Sequence, residues 1–371
     1  MSSEDELRIA VSRRLLLEDA LWIGDVLASA SEHRGRAQVF APLLLSGHAS
    51  RIVYEGRLLL EARDPQMALP DFVAMLPPAT HPSIALARHA TKMLDNQNSK
   101  DKTLTDFEKD VHNAWMSQQS LLRRGVRPGF KWMQKDMGFY TLGDRVVGST
   151  IALHLRFGLN DVRPDTYPEF FQRFGYDLAA SVRVYSYLSG ETDAISTTQD
   201  MAALDEVGDN DRFVERYLEP RYDSRLSPDQ KLLLLLIESE VNTATTLIPL
   251  VSRGHQNAAF RARLISLWHG LSSLVKILDA SPTAISPATG RMRSIVKSSP
   301  AQTLLASKEM RRIRNRCVHY EIPRTLAVNF TDAPMFGIIE SLSDQTLDSL
   351  DTLIGDLGSD LSESLRDWRN G

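Results

Sequence analysis

Arg311-Arg312-Ile313-Arg314-Asn315-Arg316-Cys317-Val318-His319-Tyr320 is the stretch in which chemically capable side chains stand closest together. It offers an arginine, an amide beside it, a histidine five positions on and an aromatic next. Leu304, Leu305 and Met310 precede it, and Pro323 follows. Proline disfavours helix at the residue before it, so the helix carrying Arg314 is expected to end between His319 and Ile322. Arg314 and His319 then lie near a helix end, where both can reach a shared cleft. Arginine and histidine at a helix C-terminus also complement its carbonyls and dipole, so the residues alone support a capping role as well as a chemical one.

Arg314-Asn315, three further residues and His319 resemble the signature of the HEPN family, small α-helical domains found in many prokaryotic RNases and toxins. That motif is an arginine, often followed by a polar residue, with a histidine a few positions later. Arg312 with His319 and Arg263 with His269 also fit the bare spacing. Arg263 is followed by Leu264 and lies in mid-helix, opposite an apolar stripe, so that pair is read as solvated; the asparagine sets Arg314 apart. The resemblance covers about residues 226–371. It implies a metal-independent endoribonuclease with a composite Arg314/His319 site at a homodimer interface, and a role such as a toxin or antiviral defence effector. A partner or trigger would then bind the N-terminal region. Some HEPN domains lack nuclease activity, so a non-catalytic dimerisation or binding module is the alternative, and a nucleotide-handling enzyme on the same bundle is a third.

RNA can be cleaved without metal if a base takes the 2′-hydroxyl proton, an acid protonates the leaving 5′-oxygen and a cation stabilises the phosphoryl oxygens. Histidine is the residue type that titrates near neutrality, so His319 suits either proton-transfer role. Arg314 presents a charged fork matched to phosphate, and Asn315 can orient His319 or donate to a phosphate oxygen. On a continuous helix Arg314 and His319 would sit about 140° apart, so a two-fold pair of chains is expected to complete the site. Arg311, Arg312 and Arg316 are expected to contact the RNA backbone or the acidic residues Asp344, Asp348 and Asp351. Tyr320 either stacks on a base or packs on the bundle, and Cys317 reads as a small buried residue.

The net charge of −4 and pI near 6.2 carry no global signal for nucleic acid, so RNA contact must come from local basic patches. A single cysteine excludes a disulfide within the chain and fits a reducing compartment. The acidic N-terminus is unlike a signal peptide, and the longest apolar run, Leu232–Ile237, is far too short to span a bilayer. A cytoplasmic protein with no membrane contact is expected. No HExxH spacing, GxGxxG, Walker loop or GxSxG elbow occurs, so no metal and no cofactor is expected.

The pattern as a whole reads all-α: a helical domain over residues 1–190, an acidic linker or loop over 191–225, and a four-helix, HEPN-like bundle over 226–371. In the first half Leu7, Val11, Leu15, Trp22 and Val26 recur at helical steps, with Glu18 interrupting the stripe. Arg36–Glu61 reads as two short helices, or as ending in a hairpin around Gly56. Further helices are expected over Ile84–Leu94, Asp106–Leu122 and Asp144–Phe157. Arg123–Lys135 interleaves basic residues with Phe130 and Trp132, which suits single-stranded RNA or a solvated turn. In the second half Ser227-Pro228 is an N-cap with proline at the first helical position, and the apolar run after it predicts a buried helix. A second helix carries a stripe from Phe260 to Leu278, a third spans Ala301–Tyr320, and a fourth runs from Ile339 to Trp368. Ser281–Pro300 reads as a long basic loop whose Arg291, Arg293 and Lys297 help hold RNA, or as a surface loop with incidental charge.

Overall fold

The structure, a computed structural model, describes residues 3–62, 67–78, 80–94, 103–122, 135–189, 198–280, 286–326 and 333–368. It is mostly helical, with 74% helix. The principal helices are α1 (Ser3–Glu32), α2 (Ser46–Leu60), α3 (Pro82–Ala90), α4 (Leu104–Leu122), α5 (Thr150–Phe157), α6 (Tyr167–Ser186), α7 (Pro228–Asn242), α8 (Gln256–Ala280), α9 (Lys308–Val318) and α10 (Leu347–Arg366).

The all-α expectation needs one correction, a small antiparallel sheet in the order β2-β1-β3, formed by β1 (Met137–Leu142), β2 (Arg145–Ser149) and β3 (Gly208–Arg212). Gly143 turns β1 into β2 with a φ of +59°, which glycine adopts without steric cost. Met137, Phe139, Val146 and Val147 face the core. The helix expected over Asp144–Phe157 is therefore strand as far as Ser149, whose side chain then caps α5. β3 reads Gly-Asp-Asn-Asp-Arg and is exposed along most of its length, so only its backbone joins it to β1. It lies within the segment expected to be a linker. Met201, Leu204, Val207, Val214, Leu218 and Tyr222 are buried there as well, so residues 198–225 are part of the packed fold.

Helices α7, α8, α9 and α10 pack on one another, with α8 touching each of the other three. Ser227 and Gln230 form a reciprocal capping box at the start of α7, and every residue of Leu232–Ile237 is buried. With its π-turn extension α7 makes a span, Pro228–Leu250, long and apolar enough to cross a membrane, unlike the short run judged from sequence. Its most apolar part is largely buried inside the fold, where it serves as a core helix. The third expected helix is broken at Ser307, which caps α9, and the helix Ser299–Ala306 precedes it. Ser281–Pro300 is not an extended loop among its described residues: Ser286 caps a helix over Pro287–Val296.

α8 is buried on more faces than a single stripe requires, because the N-terminal helices cover its polar side. Arg261 on α8 donates to Asp19 on α1 at 2.6 and 2.9 Å, and Ser266 meets His48 at 3.1 Å and Glu240 at 2.5 Å. Arg51 on α2 donates to the other Asp19 oxygen at 2.7 Å, and the Tyr320 hydroxyl donates to that oxygen at 2.8 Å. Glu18, which broke the apolar stripe of α1, pairs with Arg261. Gly56 of α2 lies against Leu16 and Tyr185, where a Cβ would come within 2.8 Å of each, so the hairpin alternative gives way to a helix in close contact. Residues of both halves thus form one continuous apolar core.

Burial pushes the Asp19 carboxyl upward, but the guanidiniums of Arg261 and Arg51 outweigh it and hold its pKa below the usual value. Its contribution to stability is present above the unfolded carboxyl range and is lost as pH falls through the depressed folded value. Asp19→Asn leaves two buried arginines short of a counter-charge and is expected to lower stability by about 3–5 kcal/mol in urea unfolding at neutral pH. A loss near zero would show that the network contributes geometry alone.

Candidate functional site

Helix α9 ends at Val318, one residue before the expected range, and His319 is extended with φ −110° and ψ 130°. The chain from His319 to Ile322 runs across α1 and α2. Arg51 donates to the Cys317 carbonyl at 3.1 Å and to the Tyr320 hydroxyl at 3.2 Å. The Ile322 N–H donates to Ser12 at 3.0 Å, and Arg8 donates to the Ile322 carbonyl at 3.3 Å. One turn after Arg51 on α2, Glu55 accepts from His319 Nδ1 at 2.7 Å. Its other oxygen is held by Arg88 of α3 at 2.6 and 2.7 Å.

The carboxylate of Glu55 is 3% exposed and the imidazole it holds is 47% exposed. Burial acts to raise the Glu55 pKa, but the hydrogen bond from His319 and the Arg88 charge outweigh it and keep the group ionised. A buried carboxylate on Nδ1 fixes the ring and its tautomer and leaves Nε2 for a ligand. His319 lines a cleft of about 400 Å³ together with Glu55, Leu58, Leu59, Arg316, Tyr320, Glu321 and Pro323. A second cleft of about 290 Å³ is lined by Arg312, Asn315, Arg316, Pro323, Thr325, Leu326 and Leu342. Arg316 and Pro323 belong to both.

Arg314 is placed differently from its expected role. Its guanidinium lies over the buried Trp268 ring at 5.3 Å and donates to Asn315 Oδ1 at 3.0 Å, and neither cleft is lined by it. Glu55, and not Asn315, orients His319. The separation expected on a continuous helix does not apply either, because His319 is no longer helical. Tyr320 is 1% exposed and bound to Asp19 and Arg51, which leaves no ring face for a base. Arg311 and Arg312 are exposed; Asp351, one of their expected acidic neighbours, instead pairs with Arg263 at 2.6 Å. His269, expected to be solvated, is 2% exposed, with its pKa pushed well down by burial and by the Arg314 charge. Cys317 is buried as expected, and burial raises its thiol to about 12.

The other basic residues do not converge on the motif. Arg293 donates to the Leu278 carbonyl at 2.6 Å, Arg291 lies near Asp367, and Lys297 is exposed; none of the three lines either cleft. Residues 123–134 of the basic-aromatic segment lie outside the described residues. Glu55 and Arg88 had no motif to mark them. Arg51 and Glu55 stand one turn apart, which reads as an ordinary helix-surface ion pair and does not announce their burial, and nothing around Arg88 announces its role.

No protein-family model, no curated protein and no solved structure matches the chain.

The Glu55 carboxyl starts from an ordinary value of 4.5 and is lowered on folding. Wild type is therefore expected to exceed Glu55→Gln in stability by a constant margin above the unfolded carboxyl range. That margin should shrink as pH falls through the depressed folded value. Urea midpoints measured from pH 7 to pH 3 check this, and a margin independent of pH would remove the charged pairing from the account.

Proposed function

We propose that the protein is a metal-independent endoribonuclease in which His319 moves the proton. The single observation that carries the proposal is His319 itself: a half-exposed imidazole held on Nδ1 by a buried, ionised Glu55, at the edge of a cleft that also contains an arginine. That arrangement suits general acid–base work, because Nε2 exchanges protons while the carboxylate steadies the imidazolium. In the reaction Nε2 accepts the 2′-hydroxyl proton as that oxygen bonds to phosphorus. The P–O5′ bond then breaks and the departing oxygen takes a proton from solvent water, leaving a 2′,3′-cyclic phosphate and a 5′-hydroxyl. The packing of α7, α8, α9 and α10 supports a HEPN-like bundle for residues 226–371. The N-terminal half contributes Glu55 and Arg88 to the site, whatever trigger or partner it also binds.

A second function is favoured by one specific contact. Arg314 stacked on Trp268 and bonded to Asn315 is a structural anchor for α9, which suits a non-catalytic helical dimerisation or binding module. The two are separated by incubating purified protein with varied RNAs in excess EDTA. Nuclease activity predicts cleavage that survives the chelator, gives cyclic-phosphate ends and falls about 10²- to 10⁴-fold in His319→Ala. Cleavage that EDTA stops, or that His319→Ala retains, would exclude the proposed chemistry, and no cleavage of any RNA would favour the binding module.

A further inference from the structure

We propose that Arg316, not Arg314, holds the phosphate that His319 acts on, and that this anion site is completed within one chain by Glu55 and Arg88. The proposal rests on the nuclease function above for its substrate, and on independent geometry for its residues.

Arg316 and His319 line the same cleft, although three positions apart in sequence, because the chain leaves the helix at Val318 and the extended His319 turns its ring toward α2. Arg314 lies two residues before Arg316, about 200° around α9, and its charge is committed to Trp268 and Asn315. Apart from the family resemblance, a two-fold partner was expected because Arg314 and His319 converge poorly on one helix. With Arg316 as the cation, that reason lapses.

The cleft holds both cationic and acidic side chains. Of its two carboxylates, the buried Glu55 is neutralised by Arg88, and the exposed Glu321 acts on Arg316 with its charge, so an anion must share Arg316 with it. Arg316 also donates to the Glu321 backbone carbonyl, which fixes the guanidinium at the cleft. A half-buried arginine loses part of its hydration, and burial lowers the Arg316 pKa. A phosphate oxygen there would restore a strong partner through a charge-assisted, two-pronged hydrogen bond. Leu58, Leu59 and Pro323 supply an apolar wall beside it, and Leu58 is 51% exposed. That wall suits a ribose or base on the same nucleotide. Arg316 also borders the second cleft, where Arg312 and Asn315 offer further donors. Arg312, Arg316 and His319 thus form a path for consecutive phosphates of one RNA strand, with the reacting phosphate between Arg316 and His319.

The test uses the full chain, with imidazole NMR of isotopically labelled histidine and inorganic phosphate as the probe. The His319 signal is identified by its loss in His319→Ala. Phosphate is expected to shift it saturably in wild type. Arg316→Gln should weaken phosphate binding about tenfold, the loss of one charge-assisted contact, whereas Arg314→Gln should change it less than about twofold. Arg316→Lys retains the charge without the fork and should fall between them; thermal unfolding of each variant separates binding loss from unfolding. RNA cleavage should follow the same order, with a rate per chain that does not depend on protein concentration. A His319 signal indifferent to phosphate, or binding lost in Arg314→Gln and kept in Arg316→Gln, would overturn the proposal. Arg316-dependent phosphate binding in a protein that cleaves no RNA would instead overturn the nuclease function and leave the anion site standing.

Discussion

Asp19 is a carboxylate with no exposed surface, placed in the middle of the longest N-terminal helix and bound at once to Arg51, Arg261 and Tyr320. Four separate parts of the chain, α1, α2, α8 and the segment after α9, meet at this one side chain. Removing these charges from water is costly, and their mutual attraction offsets the cost only when every donor finds an acceptor. The hydrogen bonds therefore specify how the parts dock more than they add to stability. A shift of α2 along α1 by one turn would leave a buried arginine facing apolar surface.

The geometry of the candidate site is a consequence of that docking. Arg51 and Glu55 share a face of α2. Once Arg51 is locked onto Asp19, the Cys317 carbonyl and Tyr320, Glu55 is delivered to His319 one turn further on. Arg88 then neutralises the buried Glu55 charge from α3. Tyr320 and His319, adjacent in sequence, point to opposite environments because the backbone is extended there and successive side chains alternate. One is sealed in the core and the other is left at a cleft.

Elements whose signal lies in their own side chains were legible in the sequence. The serine N-cap and first-position proline of α7, its wholly apolar run and the apolar repeat of α8 appear where the pattern places them. The fourth repeat, expected as one helix from Ile339 to Trp368, is instead split into Ile338–Leu342 and α10, because Ser343 is extended and Thr346 caps a new helix. Elements stabilised by partners elsewhere were not. β3 has no apolar residue to announce it and exists because its backbone completes the edge of β1. The Gly143-Asp144 turn between β1 and β2 was a readable hairpin signal, but the helical pattern after Ser149 masked it. The helix over Pro287–Val296 is short, and its basic residues hid an ordinary serine-proline start.

The candidate site divides along the same line. Sequence alone determined that residues 311–320 combine a helix end with a histidine and several arginines, because helix periodicity, the proline at 323 and side-chain chemistry are local properties. Which arginine shares a cleft with His319, what orients its ring, and whether Tyr320 meets solvent were decided only by the tertiary structure. Those outcomes depend on where α9 stops and on what α1 and α2 place against its end. The partner that holds the imidazole is 264 residues away, and no local pattern encodes a contact over that distance.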